Sequence, residues 1–299
     1  MTEKLIGAVE AGGTKFVLAV ANDVDEALDR AVIPTRTPAE TFGEMVEWFE
    51  CAAARHGPIG AFGIASFGPI GIDPAKGDYG TFTTTPKPGW RGASFPDALA
   101  RFGAPIALDT DVNGAALGEY RKGAGRGCST LAYSTVGTGI GTGVVKDGRV
   151  VGGFSHYESG HIRVPHDIAR DPFAGSCPYH GDCLEGLASG PAILSRWGHD
   201  LSRAGADQVA LIAGYLADLA ANLVLLHMPD RLVFGGGVAK APGLIESLRE
   251  QTRERLGGYI AAYDEDLTNR IVPPALGDDA GITGAIALGR QALEREGTR

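Results

Sequence analysis

The chain has 299 residues, of which 44% are hydrophobic and 21% charged. That is enough to bury a sizeable core and suits one large or two medium domains. A formal net charge of −9 argues against nucleic acid or an anionic membrane surface as the main partner, although backbone amides of such a protein can still bind phosphates.

The N-terminal residues MTEKLIGAVE lack the charged-then-apolar pattern of a signal peptide. No apolar run approaches the roughly 20 residues of a membrane span. The four cysteines, Cys51, Cys128, Cys177 and Cys183, do not make a disulfide framework in this length, so a reducing, cytoplasmic compartment is expected. The run from Lys4 to Glu10 and the run KFVLAVAN that follows read as a hairpin turning on Gly12, Gly13 and Thr14. The turn looks like a phosphate loop, but the chain has no Gly-Lys pair and a strand, not a helix, follows Lys15. Helical periodicity runs from Thr41 to Arg55, with Phe42, Met45, Val46 and Phe49 on one face. IGAFGIASFGPI is the next buried strand. Residues 73–92, rich in threonine, proline and glycine, form a long loop.

APIALDTDVNGAALGEYRKG reads as strand, acidic corner and helix, and TLAYSTVGTGIGTGVVKDGRVV repeats the opening plan of strand, Gly/Thr turn and strand. This is a weak internal duplication. Residues 154–190 are irregular and rich in His, Cys, Gly and Pro. A strong helix is predicted from Asp207 to His227, with Val209, Ile212, Leu216, Leu219, Leu223 and Leu226 at helical spacing and Pro229 closing it. RLVFGGGVA is a strand entering a glycine corner, a helix follows near Leu244 to Leu256, and Asp278 or Asp279 is the N-cap candidate of a final helix. Strands and helices alternate, so the class is α/β.

A glycine turn between strands exposes consecutive backbone N–H groups and lets an anion approach them. Thr14 and Thr138 add hydroxyls. Either turn alone reads as an ordinary hairpin; the two together, with Gly235 to Gly237 after a third strand, point to phosphate binding. VGTGIGTG fits no register of the dinucleotide fingerprint. Asp109 and Asp111 stand where a strand ends and a helix begins. Either could simply cap the helix, and either, held as an anion there, could accept a hydroxyl proton in phosphoryl transfer.

In order along essentially the whole chain, GAVEAGGTKF, IASFGPI, YGTFTTTPKPGW, DTDVNGAALGEY, STVGTGIGTGVV, ESGH, CPYHGDCLEGLASGP and VFGGGV resemble ROK-family sugar kinases. TTPKPGW and CPYHGDCLEG resemble the fructokinase branch. The resemblance implies an actin/hexokinase-like (ribonuclease H-like) duplicated α/β fold, two domains around a cleft. The expected division is 1–114 plus about 286–299 for a small N-terminal domain, and 115–285 for a larger one carrying a zinc-binding loop at 154–190. It implies that Gly12, Gly13, Thr14 and Lys15 form one ATP phosphate loop and Thr135, Gly137, Thr138 and Gly139 the other. Gly236 and Gly237 would run along the adenosine, and Glu10 would face Mg²⁺ through water. Asp111 matches the catalytic base, and Glu158, His161 and Glu185 fall on the sugar side. Glucose-type relatives carry Asn where this chain has Thr110, which argues against glucose as the preferred sugar.

Cys177, His180 and Cys183 have Cys-x2-His-x2-Cys spacing with His161 upstream, a donor set suited to tetrahedral, structural zinc. The competing reading is a chance cluster of solvated polar residues. His156 and His166 are nearby, and His166 could replace His161. Cys51 and Cys128 read as buried fillers. The expected activity is ATP-dependent phosphorylation of D-fructose to D-fructose 6-phosphate, with Asp111 as general base. Mannose, glucose or N-acetylhexosamine kinases are the alternatives within the enzyme class. A sugar-sensing regulator is the alternative outside it, disfavoured because the first phosphate-loop strand begins by Leu5, leaving no room for a DNA-binding helix-turn-helix. A homodimer with no nucleic-acid or membrane partner is what the resemblance implies.

Overall fold

In the computed structural model, residues 4–153 and 155–297 are described; the expected ends of the chain at 1–3 and 298–299, and Phe154 at the start of the expected zinc-binding loop, lie outside them. The chain divides into two compact units: residues 1–122, 152–156 and 278–299, and residues 123–151 and 157–277.

Unit 1 begins with strands β1 (Leu5–Ala11), β2 (Lys15–Ala21) and β3 (Ala27–Pro34). Helix α1 (Pro38–His56) follows, started by a Thr37–Glu40 capping box with Pro38 in its first turn. It buries Met45, Val46 and Phe49, as its periodicity requires. Strand β4 (Ile59–Ser66), the short helix α2 (Phe95–Leu99), β5 (Ile106–Thr110) and α3 (Asp111–Lys122) complete this first pass. The sheet order is β3-β2-β1-β4-β5. β1 pairs antiparallel with β2 and parallel with β4, and β4 pairs parallel with β5. β1 is apolar along nearly its whole length because it is central and covered on both faces.

Unit 2 repeats this plan. β6 (Thr130–Val136), β7 (Ile140–Lys146) and β8 (Arg149–Val151) form a meander. After α4 (Leu184–Ala188), α5 (Gly190–Trp197) and α6 (Ala206–His227), β9 (Arg231–Gly235) adds parallel to β6. α7 (Leu244–Leu256) precedes β10 (Ile271–Val272), which adds parallel to β9. The order β10-β9-β6-β7-β8 is the order of the first sheet, strand for strand. The duplication seen weakly in the two hairpins therefore extends to all five strands. The chain then returns to unit 1 with α8 (Ala280–Gly297).

Several expectations are corrected. Divisions at 114/115 and near 286 would cut through α3 and α8, and the structure keeps both helices whole in unit 1. The reason is a glycine-lined crossing. A Cβ on Gly118 would lie 2.1 Å from the carbonyl oxygen of Ala280, and one on Gly284 would lie 1.7 Å from that of Gly114, so the two backbones meet without side chains between them. Leu226, expected on the buried stripe of α6, is 75% exposed in the last turn of the helix. Cys51 is exposed and Cys128 half-buried, not core fillers. Among the described residues α6 alone is long and apolar enough to cross a membrane by length and composition, contrary to the sequence reading. Its Val209, Ile212, Leu216, Leu219 and Leu223 instead fill the core of unit 2.

Candidate active site

In unit 1 the β1–β2 turn is an exposed Gly13–Thr14 corner. The Gly12 N–H donates to the Lys15 carbonyl at 2.9 Å. Thr35, just beyond β3, closes the turn from the side: its hydroxyl donates to the Gly12 carbonyl at 2.7 Å and its N–H to the Thr14 carbonyl at 2.9 Å. Glu10, one residue before the end of β1, turns its carboxylate toward α8 and accepts from the backbone N–H of Ile282. Its Oε2 is buried with no hydrogen-bond partner. Burial, with Asp111 nearby and against the pull of Lys15, pushes its carboxyl up to about 7. A buried carboxylate oxygen without a donor suits a cation or its water shell, so Glu10 fits a place beside Mg²⁺.

The strand-to-helix corner separates the two candidate acids. Asp109 is tied down: its Oδ1 accepts from the Asn113 amide at 2.6 Å and from the Thr110 N–H at 2.8 Å. Burial raises its carboxyl above the ordinary value, and those two bonds oppose the rise. Asp111 is not the cap of α3. That role falls to Thr110, whose buried hydroxyl accepts from the Asn113 N–H at 3.2 Å. Asp111 accepts from the Val112 N–H at 2.8 Å and faces solvent. Enough protein crowds around it to push its carboxyl up to about 6. Its side chain can therefore take a proton at neutral pH, whereas that of Asp109 is structural. His156, considered as a metal ligand, lies in unit 1, near enough to favour the charged forms of both acids.

In unit 2 the β6–β7 turn is organised by Gly137, whose N–H donates to Gly139 at 2.9 Å and whose carbonyl accepts from Gly190 at 2.8 Å. Thr138 is exposed. Glu185, in the first turn of α4, accepts the Ile140 N–H at 2.9 Å, so this residue expected on the sugar side braces the turn. Gly236 has φ +88°, and a Cβ there would lie 2.4 Å from the Val136 carbonyl oxygen; no other residue fits both demands. A cavity of about 520 Å³ opens beside this corner, lined by Gly137, Thr138, Gly190, Pro191, Gly237 and Val238 among others. Its lining joins Thr138 and Gly237, two residues read as nucleotide-binding, to Gly190–Pro191 and Asp200–Ser202, which sequence reasoning missed. The signal was present in SGP, where Ser189 caps α5 and Pro191 sits in its first turn. Thr135 is the penultimate residue of β6.

The metal-ligand candidates come together in unit 2. Donor atoms of His161, Cys177, His180 and Cys183 all lie within 4.8 Å of one another. The His161 Nδ1 is 3.7 Å from the Cys177 Sγ and 3.6 Å from the Cys183 Sγ, and the His180 Nδ1 is 3.7 Å from the Cys177 Sγ. Tetrahedral zinc with ordinary Zn–S and Zn–N lengths requires ligand-to-ligand edges of about 3.5 Å, so the four residues fit the ion. Gly181, at φ +65°, turns the knuckle, and Cys177 and Gly181 exchange backbone hydrogen bonds across it. Burial, with the Cys177 thiol alongside, pushes the Cys183 thiol up; a bound metal ion reverses that by displacing the proton. His166 is elsewhere: its Nε2 donates to the Asp171 carbonyl at 2.9 Å, in a buried network where Asp171 accepts from Arg196 at 3.0 Å and Tyr215 at 2.7 Å. The choice between His161 and His166 thus falls on His161 as the residue beside the cysteines. Glu158 is exposed, immediately before the 3₁₀ turn Ser159–His161.

The ROK family profile matches residues 6–292. The chain is 44% identical to the fructokinase of Zymomonas mobilis over 96% of both chains. Among solved structures it resembles a ROK hexokinase from Thermus thermophilus, with a TM-score of 0.81 and 28% identity over 97% of this chain and 99% of that one. It also resembles a ROK family glucokinase from Streptomyces griseus solved with glucose and AMPPNP, with a TM-score of 0.69 and 27% identity over 96% and 99%.

Proposed function

Because this chain belongs to the ROK family, we propose that it is an ATP-dependent fructokinase that converts D-fructose to D-fructose 6-phosphate. The observation that carries the mechanism is the Asp111 carboxylate, which faces solvent at the head of α3 and is relieved of capping by Thr110, with its carboxyl pushed by the surrounding protein up to about 6. Sugar choice is supported by the 44% identity to a fructokinase.

In this reading the primary hydroxyl of the sugar gives its proton to Asp111 as its oxygen bonds to the γ-phosphorus of ATP and the bond from that phosphorus to the β,γ-bridging oxygen breaks, with ADP as the leaving group. A modest base suffices, since phosphoryl transfer depends mainly on positioning and charge neutralisation. Gly12, Gly13, Thr14 and Lys15 form one side of the ATP polyphosphate site, with the Gly13 and Thr14 N–H groups, the Thr14 hydroxyl and the Lys15 ammonium as donors. Thr135, Gly137, Thr138 and Gly139 form the other, with Thr138 adding a hydroxyl. Gly236 and Gly237 run along the adenosine, whose place is the cavity beside Thr138 and Gly237. Glu10 faces the water shell of Mg²⁺, which when bound neutralises phosphate charge. Glu158, His161 and Glu185 face the sugar, with Glu185 also bracing the second turn. His161, Cys177, His180 and Cys183 hold a structural zinc ion that orders residues 157–190 and takes no part in the chemistry. The setting is a cytoplasmic homodimer, where ATP is available and the four thiols stay reduced.

The test is ADP release with MgATP and a panel of fructose, glucose, mannose and N-acetylmannosamine. Turnover with fructose well above the other sugars is expected. Preference for another hexose would overturn the substrate, and no turnover with any sugar in zinc-replete protein would overturn the enzyme reading.

A further inference from the structure

The first glycine turn has a feature that neither its sequence nor the proposed chemistry assigns. The ammonium of Lys87, in the loop TTPKPGW, donates to the carbonyl of Gly13 at 2.6 Å. The hydroxyl of Thr35 donates to the carbonyl of Gly12, and the N–H of Thr35 to the carbonyl of Thr14. All three carbonyls of the turn are therefore held by donors from elsewhere in unit 1. In a trans peptide the C=O and the following N–H point in opposite directions. Holding the Gly12 carbonyl thus aims the Gly13 N–H away from Thr35, and holding the Gly13 carbonyl aims the Thr14 N–H away from Lys87. Among the described residues these two N–H groups donate to no protein acceptor.

The two holding residues share one frame. Trp90, three residues after Lys87, is fully buried, and its indole N–H donates to the carbonyl of Arg36, next to Thr35, at 2.9 Å. Its ring packs on Phe16, Phe42 and Phe82 with centroids 5.0–5.6 Å apart. The backbone N–H of Trp90 donates to the Lys87 carbonyl at 3.2 Å. Both donors to the turn are consequently set by one aromatic anchor.

The geometry points to Lys87 as a positioning residue for nucleotide binding: by holding the Gly13 carbonyl it orients and polarises the Gly13–Thr14 peptide so that the Thr14 N–H meets the ATP polyphosphate. A charge-assisted hydrogen bond to the oxygen of an amide strengthens the N–H of the same amide as a donor. The inference rests on the reading of this turn as an ATP site. It gives the loop TTPKPGW a part in nucleotide binding beyond any part in sugar choice.

The experiment measures MgATP affinity by calorimetry for the wild-type chain, Lys87→Met and Lys87→Arg. It is paired with amide spectra of nucleotide-free protein labelled with ¹⁵N at Gly and Thr. Lys87→Met should weaken ATP binding roughly 10–100-fold, the ratio that a charge-assisted hydrogen bond supplies, and should move the Thr14 amide resonance before any nucleotide is added. Lys87→Arg, which keeps a cationic donor, should recover most of the affinity. Equal ATP affinity in wild type and Lys87→Met, or an unmoved Thr14 resonance, overturns the inference while leaving the kinase reading intact. A wild-type chain that binds no ATP overturns the kinase reading and this inference with it. Should Lys87→Met not fold, Thr35→Val removes the neighbouring donor and should move the Gly13 resonance and weaken ATP binding; no change in either would overturn the arrangement.

Discussion

Burial shifts both Asp111 and Glu10 toward neutrality, with different consequences. Asp111, pushed up to about 6, must be deprotonated to act as a base. Its kcat/KM should therefore fall on the acid side, beginning near pH 6 and approaching tenfold per unit below it, as measured by a pH–rate profile. Asp111→Asn should lower turnover by about 10²–10⁴ and remove that limb while leaving the melting temperature near wild type; near-normal turnover would disqualify Asp111. Glu10 is pushed up to about 7 from an ordinary value of 4.5. Between those two values the folded state holds a proton that the unfolded chain releases, so stability is highest below the lower value and is lost as pH rises through about 7. Glu10→Gln should consequently melt higher than wild type at pH 8 in nucleotide-free buffer, with the advantage gone by pH 4.5. Equal melting curves at both pH values would show that the unpartnered Oε2 costs nothing. Sequence could place these acids at a strand end and a helix start. It could not say that Thr110 would take the capping role and that Asn113 would tie down Asp109, because those bonds depend on side-chain directions at the corner.

At the scale of elements, the segment 157–190 has little regular structure of its own, with one 3₁₀ turn and the five-residue α4. Its order must come from cross-links. They include the His161, Cys177, His180 and Cys183 cluster and the buried Asp171–Arg196–Tyr215 network. The cluster adjoins α4, and Glu185 of α4 braces Ile140 after the second turn, so loss of the metal should reach the nucleotide side through that bond. Chelation to a verified zinc-free state should abolish turnover, increase proteolytic cutting within 157–190, and be reversed by added zinc. Full activity in zinc-free protein would show that the cluster needs no metal. The Cys-x2-His-x2-Cys spacing was legible because a knuckle is local. The fourth position was ambiguous because His161 and His166 both stand a short way upstream of Cys177, and only the fold sends His166 to Asp171.

For the whole chain, the repeated strand-turn-strand was visible, and it proves to be the hairpin end of two five-stranded sheets with the same order. The rest of the repeat escaped notice because β9 lies about a hundred residues after β6, and β10 is two residues long. Neither carries a turn motif that could be matched to β4 and β5. The unit boundaries escaped for a related reason. The crossing of α3 and α8 joins segments about 160 residues apart, and the glycines that permit it look, along the chain, like helix-weakening residues. By itself the sequence determined the α/β class, the two glycine turns, the acidic corner, the metal-ligand spacing and the family, since each is carried by short-range pattern and residue chemistry. Only the tertiary structure decided which acid is free to act, which histidine joins the cysteines, which carbonyls of the first turn are held, and to which unit each helix belongs. Those depend on contacts between segments distant in the chain, where backbone approach and hydrogen-bond direction, not local propensity, select the outcome.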